Sequence, residues 1–488
     1  MPAIDEITRE AGLYALKELA RRARVTPEFF RSWKIEFGAD EVLVYVLPPT
    51  AKCIRFKSAR RTLPKQHQPS GMHTAHATWM RPPNEPARTL VPHFIVPFAG
   101  RNGESGHPLF ASVGADTVEC SADLLASTLL TLTRYEEVMS SVRDAHGRFA
   151  ASASVALREG FLERPIVDEY GLALEQVLAY LIPGWQPLER RTRVKLSIDL
   201  DDVGGFCYLN RGLRGARLRP SARLLWMTVP FNGRYAIQMI TRNRSFSRGI
   251  GHLWGRFTGR VPSCLDLLRQ LVALSKERHL DSAVYCKAGP LDRFDSGYDP
   301  RRPRFQRVVG ELREQGIELG VHPGYETFMA PQRLAAEVET LREALGRQPL
   351  GGRQHYLRWC PETWVHWERC GLAYDSTLTF ADHYGFRAGT CFPYRPWLLA
   401  ENRESHLIEI PLAIMDGTLK GMDLSEQESF EAVKDCLQRC KLVGGVFTFL
   451  CHNYTLLQPG YIEFYKRVLN LLVGGEKFNW DPPAPELW

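Results

Sequence analysis

The sequence has no run of apolar residues approaching the roughly 20 that a membrane-spanning helix needs. Its first segment, MPAIDEITREAGLYALKELARRARV, carries an acid or a base every few residues. It therefore lacks the uninterrupted apolar centre of a secretory signal. None of the 11 cysteines forms a CxxC pair, and their count is odd. Reduced thiols in the cytosol are expected rather than a disulfide framework. Cys436 and Cys440 stand one helical turn apart, but two thiols alone seldom hold a metal, so helix packing is their expected role. No internal repeat stands out.

Acidic residues are missing from one place in particular. From Val203 to Leu265 there is no Asp or Glu, while arginine occurs at 211, 214, 217, 219, 223, 234, 242, 244, 248, 256 and 260. The whole chain carries a formal charge of only +7, so outside this segment it is mildly acidic. A stretch of unopposed arginines raises a positive potential that attracts phosphates or anionic headgroups. The competing reading is a folded excursion whose arginines are solvated or pair with acids elsewhere. We expect an anionic partner, with peripheral contact to the inner face of a membrane through 203–265. No recognisable nucleic-acid module occurs, and no nucleic acid is expected as a partner.

What is present describes an ordinary globular chain. Its 488 residues exceed the usual size of one core, with 44% hydrophobic and 24% charged residues. Residues 1–188 read as an α+β domain with a helix near 5–24, a strand at EVLVYVLP and an exposed loop from Lys57 to Pro92. The turn IPGWQP at 182–187 is the expected linker. From 189 to 488 the rhythm becomes strand–helix alternation: VKLSIDL, SAVYCKAG, IELGVH, RQHYLRW, LAYDSTL, LIEIPLAI and VFTFLCHN are separated by amphipathic helices. Such units predict an α/β fold with a parallel sheet, open or closed into a barrel, with ligands at the carboxyl ends of its strands.

Polar residues gather at those ends. Asp199, Asp201, His322, Arg353, His355, Asp375 and His452 fall within or close to expected strands, several at C-terminal ends. In SIDLDD, strand alternation points Asp199 and Asp201 to one face, and two adjacent carboxylates repel unless a cation or proton separates them. A metal with a neighbouring base resolves the conflict; a capping and turn cluster is the plainer alternative. In GVHPGYETF, His322 closes a strand beside Tyr325 and Glu326, and imidazole with carboxylate suits zinc or a similar ion. In GRQHYLRW, Arg353 could pair with Asp199, and alternation brings His355 to the same face. Arg358 could equally serve a strand-end salt bridge. In FLCHNY, a buried strand delivers His452 to the rim, where an imidazole can protonate a leaving group or remain a satisfied core histidine.

This set resembles the polysaccharide deacetylases with NodB homology, carbohydrate esterase family four, in a divergent branch with its own N-terminal domain. The resemblance runs from Thr192 to the C-terminus, and phrases such as GVHPGY, RQHYLRW and YDSTLTFADHYGFRAGTCFPYRP carry it further. It implies a distorted (β/α) barrel of the deacetylase type, preceded by the α+β domain. It implies a divalent metal, zinc foremost, and removal of an N-acetyl or related acyl group from a saccharide or polysaccharide precursor, a C–N bond that is not a peptide. By motif position Asp199 is the base, Asp201 and His322 are metal ligands, Arg353 orients the base and His452 is the acid. The family's second metal histidine should stand four residues after His322, where this chain has Glu326. Glu326 and His355 are therefore both candidates for third ligand, alongside no protein ligand at all. Tyr325, Tyr356, Arg358 and Asp375 are the expected substrate or anion contacts. The expected substrate is a saccharide, one carried on pyrophosphate included, handled in the cytoplasm. Two rival readings are a non-catalytic saccharide-binding or assembly module that retains the barrel, and a related amidohydrolysis such as opening of cyclic ureides.

Overall fold

The structure is a computed structural model that describes residues 7–57, 74–78, 93–97, 109–201, 203, 263–280, 282–290, 292–295, 298–458, 460–474 and 476–477. Nearly all of the arginine-rich segment, 204–262, lies outside the described residues.

The chain begins with a helix over Arg9–Arg22. Thr8 caps it by accepting from the Ala11 amide at 3.1 Å, and Arg21 and Arg22 fall in the last turn, where cations favour the helix dipole. Strands β1 (Lys34–Phe37), β2 (Glu41–Tyr45) and β3 (Cys53–Lys57) follow. Within the stretch expected to be loop from Lys57 to Pro92, β4 (Thr74–Thr78) is a strand, and it pairs antiparallel with β5 (His93–Pro97). β6 (Phe110–Ser112) and β7 (Thr117–Cys120) complete a five-stranded sheet in the order β1-β2-β3-β7-β6. The helical stretch expected around SADLLASTLLTLTRYEEVM is two helices, Leu124–Leu132 and Tyr135–Met139, broken where Arg134 takes a left-handed conformation (φ 55°).

The second sheet positions the site. Its strands are β8 (Arg193–Leu200), β9 (Ser282–Cys286), β10 (Glu318–Val321), β11 (Gly351–Gly352) and β12 (Tyr374–Asp375). After a small antiparallel pair, β13 (Trp397–Leu398) with β14 (Arg403–Glu404), come β15 (Ile408–Glu409), β16 (Ile414–Met415), β17 (Val446–His452) and β18 (Glu476–Lys477). The order is β15-β12-β11-β10-β9-β8-β17-β16, with β18 also against β8, and the pairings within it are parallel. The two ends of this path, β15 and β16, are separated by only four residues, 410–413. At about 3.3–3.6 Å of reach per residue they lie within about 20 Å of one another, so the sheet curls towards closure as a distorted barrel.

Both faces of such a sheet are covered, and β8 accordingly is buried from Val194 to Leu200. Gly352 is required by close approach: a Cβ there would lie 1.8 Å from the Val321 carbonyl oxygen. Several expected strands are shorter than their sequence suggests. The extended segment ends at Gly352, before RQHYLRW, in which His355–Leu357 forms a 3-10 turn; SAVYCKAG keeps Ser282–Cys286, LAYDSTL keeps Tyr374–Asp375, and LIEIPLAI divides into β15 and β16.

The N-terminal region is tied into the barrel. One apolar cluster includes Leu16, Leu19 and Leu174 together with Phe392, Trp397 and Phe447. Buried charges bridge the same seam. Arg22 Nε donates to Asp168 Oδ1 at 2.7 Å and its Nη2 to Thr390 Oγ1 at 3.0 Å, while Arg387 Nε donates to Glu137 Oε1 at 2.8 Å. Breaking one partner of such a pair leaves an uncompensated charge, at a cost of about 3–5 kcal/mol. No described helix is long and apolar enough to cross a membrane.

Candidate metal-dependent active site

Register carries the chemistry to one end of the barrel. β17 pairs with β8 so that His452 lies opposite Asp199, and Asp201 follows two residues beyond. His322 sits one residue past β10, and its amide donates to the Cys286 carbonyl at 2.8 Å. Asp199, Asp201, His322, His355, His452 and Tyr356 line one cavity of about 440 Å³.

Asp201 is its centre. One oxygen, Oδ1, lies 3.2 Å from His322 Nε2 and 3.4 Å from His355 Nε2, and Oδ2 lies 3.8 Å from His452 Nε2. Burial works against ionising this carboxyl, yet His355, His322 and Lys287 hold it well below the usual carboxylate range. Each neighbouring imidazole is oriented by its far nitrogen. His322 Nδ1 lies 2.7 Å from the Arg353 carbonyl, which can only accept, so Nδ1 carries a proton and Nε2 is the nitrogen turned to Asp201. That buried Nε2 makes no hydrogen bond among the described residues. His355 Nδ1 is held between the Asp295 carboxylate at 2.6 Å and Lys287 Nζ at 2.7 Å, which turns Nε2 towards Asp201. Burial and then the Lys287 ammonium depress His355 to about 4, which keeps it neutral.

One carboxylate oxygen thus faces the Nε2 atoms of two imidazoles. The ligand atoms of Asp201, His322 and His355 all lie within 4.8 Å of one another. Two ligands at zinc distances of about 2.0–2.1 Å in tetrahedral array stand about 3.3–3.4 Å apart. The measured 3.2 and 3.4 Å separations fit that requirement. The donor set suits zinc or a similar divalent ion, with a fourth position open to the cavity.

Two charged pairs flank this cluster. Arg353, fully buried, donates from Nη1 to Asp199 Oδ1 at 2.9 Å and to Ser197 Oγ at 3.0 Å, and from Nε to the Ser376 carbonyl at 2.8 Å. It stands behind Asp199, leaving Oδ2 towards His322 at 3.8 Å. On the other side His452 Nδ1 lies 2.6 Å from Asp416 Oδ1, and the His452 amide donates to Asp416 Oδ2 at 2.8 Å. Burial disfavours a charged His452, but Asp416 outweighs it and pushes the imidazole up to about 10. At neutral pH it is an imidazolium whose Nε2–H faces the cavity.

Four expected contacts are corrected. Glu326 is not brought to the cluster: the 3-10 turn Tyr325–Met329 turns it outward, and it pairs at 3.8 Å with Arg358. Tyr325 reaches His146 with its hydroxyl at 3.2 Å and stacks on Phe294 at 4.0 Å. Arg358 donates to the backbone carbonyls of His146 (2.9 Å) and Tyr325 (2.7 Å) rather than into the cavity. Asp375 is buried on β12 directly across from Glu409 on β15, accepts from Thr377 Oγ1, and is pushed up to about 7 by burial. It supports the barrel wall and does not line the cavity.

Other residues join the site without having been expected. Lys287, one residue past β9, is buried between Asp295 and His355 and lies 4.0 Å from Asp201. Asp416 directly follows β16. Both obey the strand-end rule and were open to the same reasoning. Asp295, His146 and Arg148 come from loops and carried no signal; the last two bring the N-terminal region into the cavity wall.

Residues 30–183 match a family of unknown function, DUF7033. No curated protein matches the chain. Solved structures similar to part of the chain include a proposed polysaccharide deacetylase from Mycobacterium smegmatis, at 15% identity and TM-score 0.36, covering 60% of this chain and 87% of that one. A family 4 carbohydrate esterase from Streptomyces lividans, in complex with acetate, is similar at 11% identity and TM-score 0.27, covering 59% and 90%. A 4-alpha-glucanotransferase from Thermococcus litoralis is similar at 14% identity and TM-score 0.33, covering 59% of this chain but only 37% of its own. At such scores these likenesses assign no activity, which has to be argued from the site itself.

Proposed function

We propose that this protein is a metal-dependent hydrolase that removes an N-acetyl or related acyl group from a saccharide. One observation carries the reading: a carboxylate oxygen and two imidazole nitrogens gathered at one point, set between an Asp–Arg pair and a His–Asp pair in one cavity. Asp201, His322 and His355 would hold the cation. When bound, a divalent ion polarises an acyl carbonyl and acidifies water. Asp199 accepts a proton at Oδ2, because Arg353 occupies Oδ1. The Arg353 guanidinium keeps that carboxylate fixed in place. His452, charged through Asp416, donates its Nε2 proton to the departing nitrogen. A base and an acid with opposite protonation states at one pH are what hydrolysis of an unreactive amide requires. Tyr356, Phe294 and Tyr454 line the same cavity with aromatic surface against which the apolar face of a sugar ring can rest.

The test uses the purified full chain. Zinc titration should saturate at one ion per chain, and the loaded protein should release acetate from N-acetylated sugars. His355→Ala is expected to weaken zinc by more than about 100-fold, while Glu326→Ala changes it little. The reverse pattern would return Glu326 to the ligand set and remove the cluster described above. The position of His355, 3.4 Å from Asp201, supports the enzyme over a non-catalytic binding module.

The arginine-rich segment supports an extension of the same reading, in which the saccharide is carried on a pyrophosphate-linked group near an anionic membrane surface. Co-sedimentation should then be stronger with vesicles containing anionic lipid than with neutral ones. Equal binding, or none, discards the membrane part.

A further inference from the structure

The N-terminal region touches the turn that carries His355 at its most improbable point. After Gln354 the chain places two consecutive non-glycine residues in the left-handed region, Tyr356 (φ 60°, ψ 12°) and Leu357 (φ 55°). Side chains rarely adopt this conformation, and it persists only where surroundings over-determine it. The turn's own hydrogen bonds are modest: Leu357 N to Gln354 O at 3.0 Å and Arg358 N to His355 O at 3.4 Å.

The restraint comes from the segment 144–148. Asp144 folds it by accepting at Oδ1 from the His146 amide (2.8 Å) and the Arg148 amide (2.9 Å). The Arg148 guanidinium is aimed by Asp144 Oδ2 at 2.8 Å, and its Nη1 donates to the Tyr356 carbonyl at 2.8 Å. A second arginine crosses in the opposite direction, Arg358 to the His146 carbonyl, and the His146 ring packs on Tyr356 at 4.8 Å. The segment and the turn are thus braced against each other through the left-handed residue beside His355.

We infer that the N-terminal region serves as a brace for the metal site, with Arg148 as a positioning residue that holds the His355 turn in its ligating conformation. This rests on the proposed cation at Asp201, His322 and His355, and it gives the region matched to a family of unknown function a definite role. Arg148 acts through the Tyr356 carbonyl and not on the cation itself.

The experiment titrates zinc alone into metal-free full-length protein against a chromophoric chelator, and records the visible spectrum of the cobalt(II)-loaded form. Arg148→Ala is expected to raise the zinc dissociation constant by about 10- to 100-fold, the range seen when a group orienting a ligand is lost. Its cobalt bands should change in position or intensity. Arg148→Lys keeps one donor within reach of the Tyr356 carbonyl and should fall between the two. The lysine variant carries the test if the alanine variant fails to fold by circular dichroism. Zinc affinity and cobalt spectra matching the unsubstituted protein in both variants would overturn the inference while leaving the metal reading intact. An unsubstituted protein that takes up no zinc overturns the metal reading, and this inference with it.

Discussion

Replacing Asp201 by alanine is expected to abolish stoichiometric zinc binding and, with it, acetate release. Among the described residues, Asp201 supplies the carboxylate oxygen that the Nε2 atoms of His322 and His355 both approach, at 3.2 and 3.4 Å. Without it, two imidazoles remain beside Lys287, whose Nζ lies 4.0 Å from the lost oxygen. Affinity should fall by well over about 100-fold, more than the loss of an outer orienting group brings. The substitution also removes the interactions that hold this carboxyl low, so a lower melting temperature is expected beside the metal loss. Metal analysis after dialysis, alongside a thermal melt, reads both effects. A variant that retains one zinc per chain would place the ion elsewhere and remove this cluster from the chemistry.

The second large effect concerns the acid. His452→Ala should leave zinc stoichiometry unchanged and lower kcat by about 10²- to 10⁴-fold, the range for loss of a general acid. His452 contributes Nε2 to the cavity, but it lies 3.8 Å from Asp201 Oδ2, on the opposite oxygen from the metal-facing one. Asp416→Asn should act in the same direction and less strongly. It keeps a hydrogen-bond partner for Nδ1 but removes the negative charge that raises His452 to about 10. If His452→Ala lost the metal together with activity, the residue would be a ligand and the proton would need another source.

The two groups of site residues differ in how they could be read. Asp199, His322 and His452 stand at or next to the ends of apolar strands, and the parallel βα rhythm fixes which end binds ligands. Lys287 and Asp416 occupy the same kind of position, after β9 and β16, and the same rule reaches them. The shorter elements read less well. RQHYLRW has the alternation and aromatic content of a strand, yet the strand ends before it at Gly352 and His355–Leu357 forms a 3-10 turn. Arg353 and His355 therefore reach the cavity by different routes, one from the strand end and the other from a 3-10 turn.

From the sequence alone came the α/β alternation, the carboxylate pair at Asp199 and Asp201, the imidazoles at His322 and His452, and Arg353 beside them. These follow from strand periodicity, which is local and repeats every second residue. Tertiary structure places His355, and not Glu326, beside Asp201 and His322. One turn draws Glu326 away to Arg358, and His355 stands next to a pair of left-handed residues. Intrinsic preference disfavours that backbone for Tyr356 and Leu357, and it is met there by contacts from a distant segment, 144–148, which no local pattern records.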